Sequence, residues 1–338
     1  MHNSSNMAET RYRGRRATSI ENEWVRVTVL HEGGHIAEIL DKQSGVNPLW
    51  TPPWDSIEPS TYDPRKHPEY GADAESKLLS GIMGHNLCMD IFGGPSAEEA
   101  AAGLTVHGEA SVAVYEVTAT RTALTQRACL PQAQLRLERS IELDQRTVRV
   151  AETVENESAT DRPIAWTEHV TLGPPFLEKG ATEFRAPATK FLVLEEGNGE
   201  LHRFTDAPVS GGFTTHLVDP ARDTAFFVAW SPRSQVAFGY IWRRADFPWL
   251  GVWEENHSRK DAPWNGRTLT RGMEFGVSPV AETRRQMIER GNLFGVPAFR
   301  WIPARARVEV RYCAAIQSNV TACPAGLVRK AVEVRFEY

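Results

Sequence analysis

Apolar and polar residues alternate with a period of two over much of this chain. Val25 to Val29 alternates, and so does His35 to Leu40 after the pair Gly33-Gly34. Two extended runs around a glycine pair predict a β-hairpin. The same alternation recurs at Val112 to Val117, Leu135 to Leu143 and Thr147 to Val154. It returns at Ala225 to Ala229, Arg307 to Tyr312 and Val332 to Phe336. Successive strand side chains point to opposite faces, so such runs bury one face and wet the other. Helical signals are few. Ser96 to Ala102 has a capping serine, early glutamates and Gly103 as a stop, and Ala281 to Arg290 ends at Gly291. No strand–helix–strand alternation appears, so a parallel doubly wound sheet is not expected. Residues 47–76 are rich in proline and aromatic side chains, which excludes a central strand and predicts a long ordered loop covering a sheet edge or bordering a site. The reading is all-β, with residues 1–20 as a flexible polar tail and residues 21–338 as one large antiparallel domain.

Composition narrows the function classes. The chain has 338 residues, 41% hydrophobic and 24% charged, with a formal net charge of −5. That is ordinary for a protein with a core. Acidic and basic residues are interspersed, which disfavours a nucleic-acid partner. Arg11, Arg13, Arg15 and Arg16 read as a solvated cluster in the tail. No run of about 18 apolar residues exists, so no membrane helix is expected, and the start lacks a secretory pattern. A soluble, cytoplasmic protein is the expectation. Cys88, Cys129, Cys313 and Cys323 show no metal-ligand spacing and read as reduced, mostly buried thiols. No phosphate-binding loop, dinucleotide fingerprint or nucleophile elbow is present, so no cofactor and no metal are expected.

Polar groups concentrate in three segments with strand-like surroundings. The first is Gly103 to Glu109, containing His107. The second is Trp166 to Phe176, containing His169. The third runs from Trp249 to Asn256 and on to Arg271 to Gly276, containing Glu274. His169 shares a strand face with Thr167 and Thr171. Glu274 lies between Met273 and Phe275, where burial would raise a carboxyl pKa. Five of the ten tryptophans fall between positions 230 and 264, next to Glu254, Glu255 and Asn256. Flat indole faces beside hydrogen-bonding groups suit a polyol, and Trp253 and Glu254 are candidate contacts. His85, in Gly84 to Asp90, either lines the pocket or joins a turn-stabilising cluster with Asn86 and Asp90. Arg271 either binds a substrate phosphate or orients Glu274.

In this order, the glycine-bearing hairpin, the His107-Gly108 pair, "RPIAWTEHVTLGPPFL" and "WEENHSRKDAPWNGRTLTRGMEFGVSP" resemble the aldose 1-epimerase (galactose mutarotase) family over residues 22–315. The resemblance implies the galactose mutarotase-like β-sandwich. It implies His169 as general acid, Glu274 as general base and His107 as a sugar ligand, in a divergent branch. The family's aspartate that binds sugar hydroxyls has no match here. Ring opening of an aldose needs a proton delivered to the ring oxygen and one removed from the C1 hydroxyl. Glu titrates near ~4.3 and His near ~6.5, so a Glu⁻/His⁺ pair is expected between those values, extended upward by mutual attraction. The two side chains are expected about a sugar ring apart. The expected substrate is a free or phosphorylated sugar. Two other classes stay open: a non-catalytic carbohydrate-binding protein, and a polysaccharide lyase or glycoside hydrolase pairing Glu254 or Glu255 with Glu274. Oligomeric state is open.

Overall fold

A computed structural model of the chain describes residues 10–194, 201–330 and 333–338. Two large antiparallel sheets dominate it. The first is 11-stranded. It runs from Thr10–Tyr12 through Arg15–Glu21, Val25–Leu30, Ile36–Asp41 and His85–Asp90 to Arg162–Leu172. It continues through Leu269–Gly276, Trp249–Asn256 and Ser210–Val218 to Ala188–Val193, with Arg300–Ile302 joined to one end of Arg162–Leu172. The second sheet is 8-stranded and contains Thr224–Ser231, Val236–Arg243, Arg307–Gln317, Thr147–Asn156 and Leu135–Asp144 among its members.

The inner faces of the two sheets meet in one apolar cluster that includes Val27, Leu87, Met89, Trp166, Val170, Leu250, Met273 and Phe275 from the first sheet. Leu135, Leu137, Ile141, Val150, Tyr240 and Ile316 come from the second. Leu135–Asp144 buries every other residue over most of its length, as a strand with one wet face does. The middle of the first sheet is different. Arg162–Leu172 and Leu269–Gly276 are buried on both faces. Their outer face lies under loops, and separate clusters form there around Trp50, Leu79 and Trp264 and around Phe92 and Phe213.

The hairpin predicted around Gly33-Gly34 is present, with Val25–Leu30 paired to Ile36–Asp41. Both short helices form, Ala97–Ala101 capped by Ser96 and Arg284–Arg290 capped by Thr283, each with a reciprocal capping box. Three expectations need correction. Residues from Thr10 onward are not a tail: Thr10–Tyr12 and Arg15–Glu21 are strands. Arg15 is wholly buried, because Glu58 and the carbonyls of Gly81 and Glu32 accept from its guanidinium. Residues 1–9 lie outside the described residues. The strand predicted from Val112 begins only at Glu116, since Val112 and Ala113 turn back onto Glu109. Val332 also lies outside the described residues; Glu333–Glu337 pairs with Gly326–Lys330. All four cysteines are free, with Cys88 and Cys313 buried and Cys129 exposed. Among the described residues no helix is long and apolar enough to cross a membrane.

Candidate active site

Strand register assembles the site. On the outer face of the first sheet, Asn86 lies opposite His169, His169 opposite Glu274, Glu274 opposite Gly251, and Gly251 opposite Thr215. Five strands thus contribute one lateral row. The adjoining row is Thr171, Gly272, Trp253 and Phe213. Cross-strand partners on one face bring their Cβ atoms to roughly 5 Å, close enough for direct contact. His169 Nε2 stands 3.1 Å from Glu274 Oε1. The glycines in these rows make room for that contact. A Cβ at Gly272 would lie 2.4 Å from the Glu274 carboxylate oxygen, and one at Gly251 would lie 2.7 Å from the Phe213 ring.

His107 arrives from a loop. Its φ of +67° lies in the left-handed region, where non-glycine residues are uncommon, and Gly108 follows at +79°. A Cβ at Gly108 would fall 2.0 Å from the Met89 carbonyl, so the loop can pass this close to the sheet only as glycine. The Phe92 carbonyl lies 2.6 Å from His107 Nδ1. A carbonyl only accepts, so Nδ1 carries the proton and Nε2 is left as an acceptor. The His107 and His169 rings are 4.9 Å apart.

These groups line a cavity of about 250 Å³, together with Phe92, Phe213, Trp253, Trp264, Glu75 and Arg259. Its aromatic wall is braced. Trp264 stacks on Trp50 and meets Trp54 edge-on, and the Arg259 guanidinium lies over Trp264 at 4.7 Å and over Trp253 at 5.5 Å. Arg259 also pairs with Glu75 at 3.1 Å. The proline-rich loop therefore does border the site: Trp50, Trp54 and Glu75 all come from it.

Burial, then the neighbouring His107, hold the His169 imidazole well below its ordinary value. Burial lowers His107 to about 4. The expected upward extension of a Glu⁻/His⁺ window is therefore overturned: desolvation of the imidazolium wins. The expected spacing is overturned as well. Direct cross-strand pairing makes His169 and Glu274 contact partners rather than placing them a sugar ring apart.

Of the other predicted site residues, Trp253 and His107 line the cavity, and His85, Glu254 and Arg271 do not. All three of the latter point to the inner face. Arg271 is wholly buried, paired with Glu254 at 3.1 Å and lying over the Phe184 ring. His85 bonds Glu168 and Tyr240 inside the sandwich, not a turn cluster. Glu255 is tied to Ser258 and to the Arg259 backbone, and neither it nor Glu254 lines the cavity with Glu274. Arg259, Glu75, Phe92 and Phe213 went unpredicted. Arg259 sits in the quoted late segment between two tryptophans, which was its available signal.

Residues 91–293, more than half of the chain, match the family described as Domain of unknown function (DUF4432). The chain belongs to the DUF4432 family. The matched span contains every residue named on the cavity wall except Glu75. Comparison with curated proteins finds no match. Solved structures show what the DUF4432 chain is similar to in fold. A candidate aldose 1-epimerase from Klebsiella pneumoniae superposes with a TM-score of 0.71 at 14% identity, covering 90% of this chain and 80% of that one. A galactose mutarotase related enzyme from Lactobacillus acidophilus gives 0.61 at 12% identity, with 91% and 99% covered. A galactose mutarotase-like protein from Clostridium acetobutylicum gives 0.62 at 12%, with 92% and 98% covered. The DUF4432 chain has the galactose mutarotase-like fold.

Proposed function

We propose that this DUF4432 protein interconverts the anomers of a small aldose, with His169 and Glu274 as its proton-transfer pair and His107, Trp253 and Trp264 as its sugar contacts. The observation that carries this reading is the 3.1 Å contact between His169 and Glu274 on the wall of an aromatic-lined cavity. The two oxygens that exchange protons in hemiacetal opening are bonded to the same carbon. Adjacent catalytic groups suit that geometry better than groups on opposite sides of the ring. Glu274 takes the C1 hydroxyl proton, protonated His169 delivers one to the ring oxygen, and the C1–ring oxygen bond breaks as the carbonyl forms. Rotation about C1–C2 and the reverse transfers close the other anomer. Each positioned group typically contributes about 10²–10⁴-fold. His107 Nε2 accepts from a sugar hydroxyl, and the indole faces cover the C–H face of the ring. The guanidinium on the cavity wall, Arg259, is already paired with Glu75, which favours an uncharged aldose over a sugar phosphate.

The acid must be imidazolium, which burial opposes. The acceleration therefore rises as pH falls from 8 to 6. Polarimetry on freshly dissolved α-aldoses tests the reading, with His169→Ala and Glu274→Gln as controls. Acceleration above buffer that disappears in both variants supports it. Failure across the sugar panel, or full activity in either variant, defeats it. The low proton affinity of His169 also favours a second reading, in which the cavity binds sugar without turning it over. Quenching of tryptophan fluorescence by a sugar whose anomers do not exchange would establish that one.

A further inference from the structure

Three histidines near the site are held in three ways, and the difference assigns a role to Thr171. His107 Nδ1 faces a carbonyl, which freezes one tautomer. His85 is held at both nitrogens, by Tyr240 and by Glu168. His169 Nδ1 lies 3.0 Å from the Thr171 hydroxyl. A hydroxyl can donate or accept. It accepts from Nδ1–H both in the protonated ring and after Nε2 has given up its proton, and it can turn to donate to Nδ1 in the other neutral tautomer. His169 can thus gain and lose a proton at Nε2 while its other nitrogen keeps a partner.

Local structure fixes this contact. Thr171 follows His169 by two residues on one strand, so both side chains leave the same face. Opposite Thr171 stands Gly272, which has no side chain to compete for the hydroxyl. Thr171 is 1% exposed, so bulk water does not compete either. β-Branching restricts its χ1 and holds the oxygen in place.

We propose that Thr171 is the positioning residue of the site: its hydroxyl anchors Nδ1 of His169 through both protonation states and reserves Nε2 for exchange with Glu274 and substrate. The proposal rests on the anomerase reading for its catalytic consequence but not for its spectroscopic one. The test combines ¹⁵N NMR of the His169 ring with anomer-exchange kinetics on Thr171→Val, which keeps the shape, and Thr171→Ser, which keeps the hydroxyl. In Thr171→Val the ring nitrogen shifts move toward a mixture of tautomers. Its kcat falls by up to about 10²-fold, the scale of a misplaced catalytic group, with KM nearly constant. Thr171→Ser restores both. If Thr171→Val does not fold, Thr171→Ala takes its place. Ring shifts in the hydroxyl-free variant that match wild type, or no recovery in Thr171→Ser, overturn the proposal. If wild type accelerates no sugar, the anomerase reading fails alone and the ring shifts still decide the role of Thr171.

Discussion

The strand Arg162–Leu172 sets a histidine against a carboxylate on each of its faces. On the outer face His169 meets Glu274 at 3.1 Å; on the inner face Glu168 meets His85 at 2.8 Å. The residue types and distances nearly match, but the surroundings differ. Glu168 also accepts from Trp166 and contacts the Tyr312 hydroxyl, while His85 bonds Tyr240 through its other nitrogen. Arg139 and Glu152 complete this inner network, and all of these side chains are buried between the sheets. The outer pair opens onto a cavity. A histidine–carboxylate contact is therefore not a site in itself. Access to a cavity separates chemistry from structure.

Substitutions can break that comparison. The largest expected effect is on the inner face. Glu168→Ala strips His85, Trp166 and Tyr312 of an acceptor and leaves Arg139 under-compensated, and losing one partner of a buried charged pair costs roughly 3–5 kcal/mol. Thermal unfolding should shift strongly downward. Glu274→Gln on the outer face should unfold close to wild type, and equal destabilisation by the two would erase the distinction. Next comes Gly272→Ala. Its new methyl would collide with the Glu274 carboxylate and displace it, so anomer exchange should fall on the order of 10²-fold with a modest change in melting temperature. Retained activity would show that the carboxylate position is unimportant.

A smaller effect sharpens the inner region. Tyr312 has a single hydroxyl proton but lies 2.9 Å from oxygens of both Glu152 and Glu168. Both contacts are hydrogen bonds only if one carboxyl keeps its own proton. Burial and the neighbouring Glu168 charge push Glu152 up to about 7, from an ordinary value of 4.5. Between those values the folded state holds more protons than the unfolded one. This contribution is fully present below about 4.5 and is lost as pH rises through about 7. Melting temperature should decline across that window, and Glu152→Gln should flatten the decline. An unchanged slope would remove the shared proton.

Much of this was legible in the sequence. Period-two alternation marked the antiparallel strands, the Gly33-Gly34 pair marked the hairpin, and Ser96 begins a helix where its capping pattern stands. His107, His169, Trp253 and Glu274 reach one cavity. The misplaced residues divide by cause. Arg271 is three residues from Glu274, and Glu254 is next to Trp253, so strand parity alone sends both to the inner face. His85 could not be settled that way, because its face depends on a register with Arg162–Leu172 that no local pattern encodes. Arg259 and Glu75 pair across 184 positions, and Phe213 joins the wall through a strand, Ser210–Val218, whose residues do not alternate cleanly between apolar and polar. Such contacts come from tertiary packing.

The most direct test is two-dimensional NMR exchange between the α and β signals of a bound-and-released aldose, with wild type and Glu274→Gln compared at equal folded concentration. The account predicts exchange cross-peaks above the buffer rate for wild type and buffer-level exchange for the variant. Cross-peaks of equal intensity in both would contradict it.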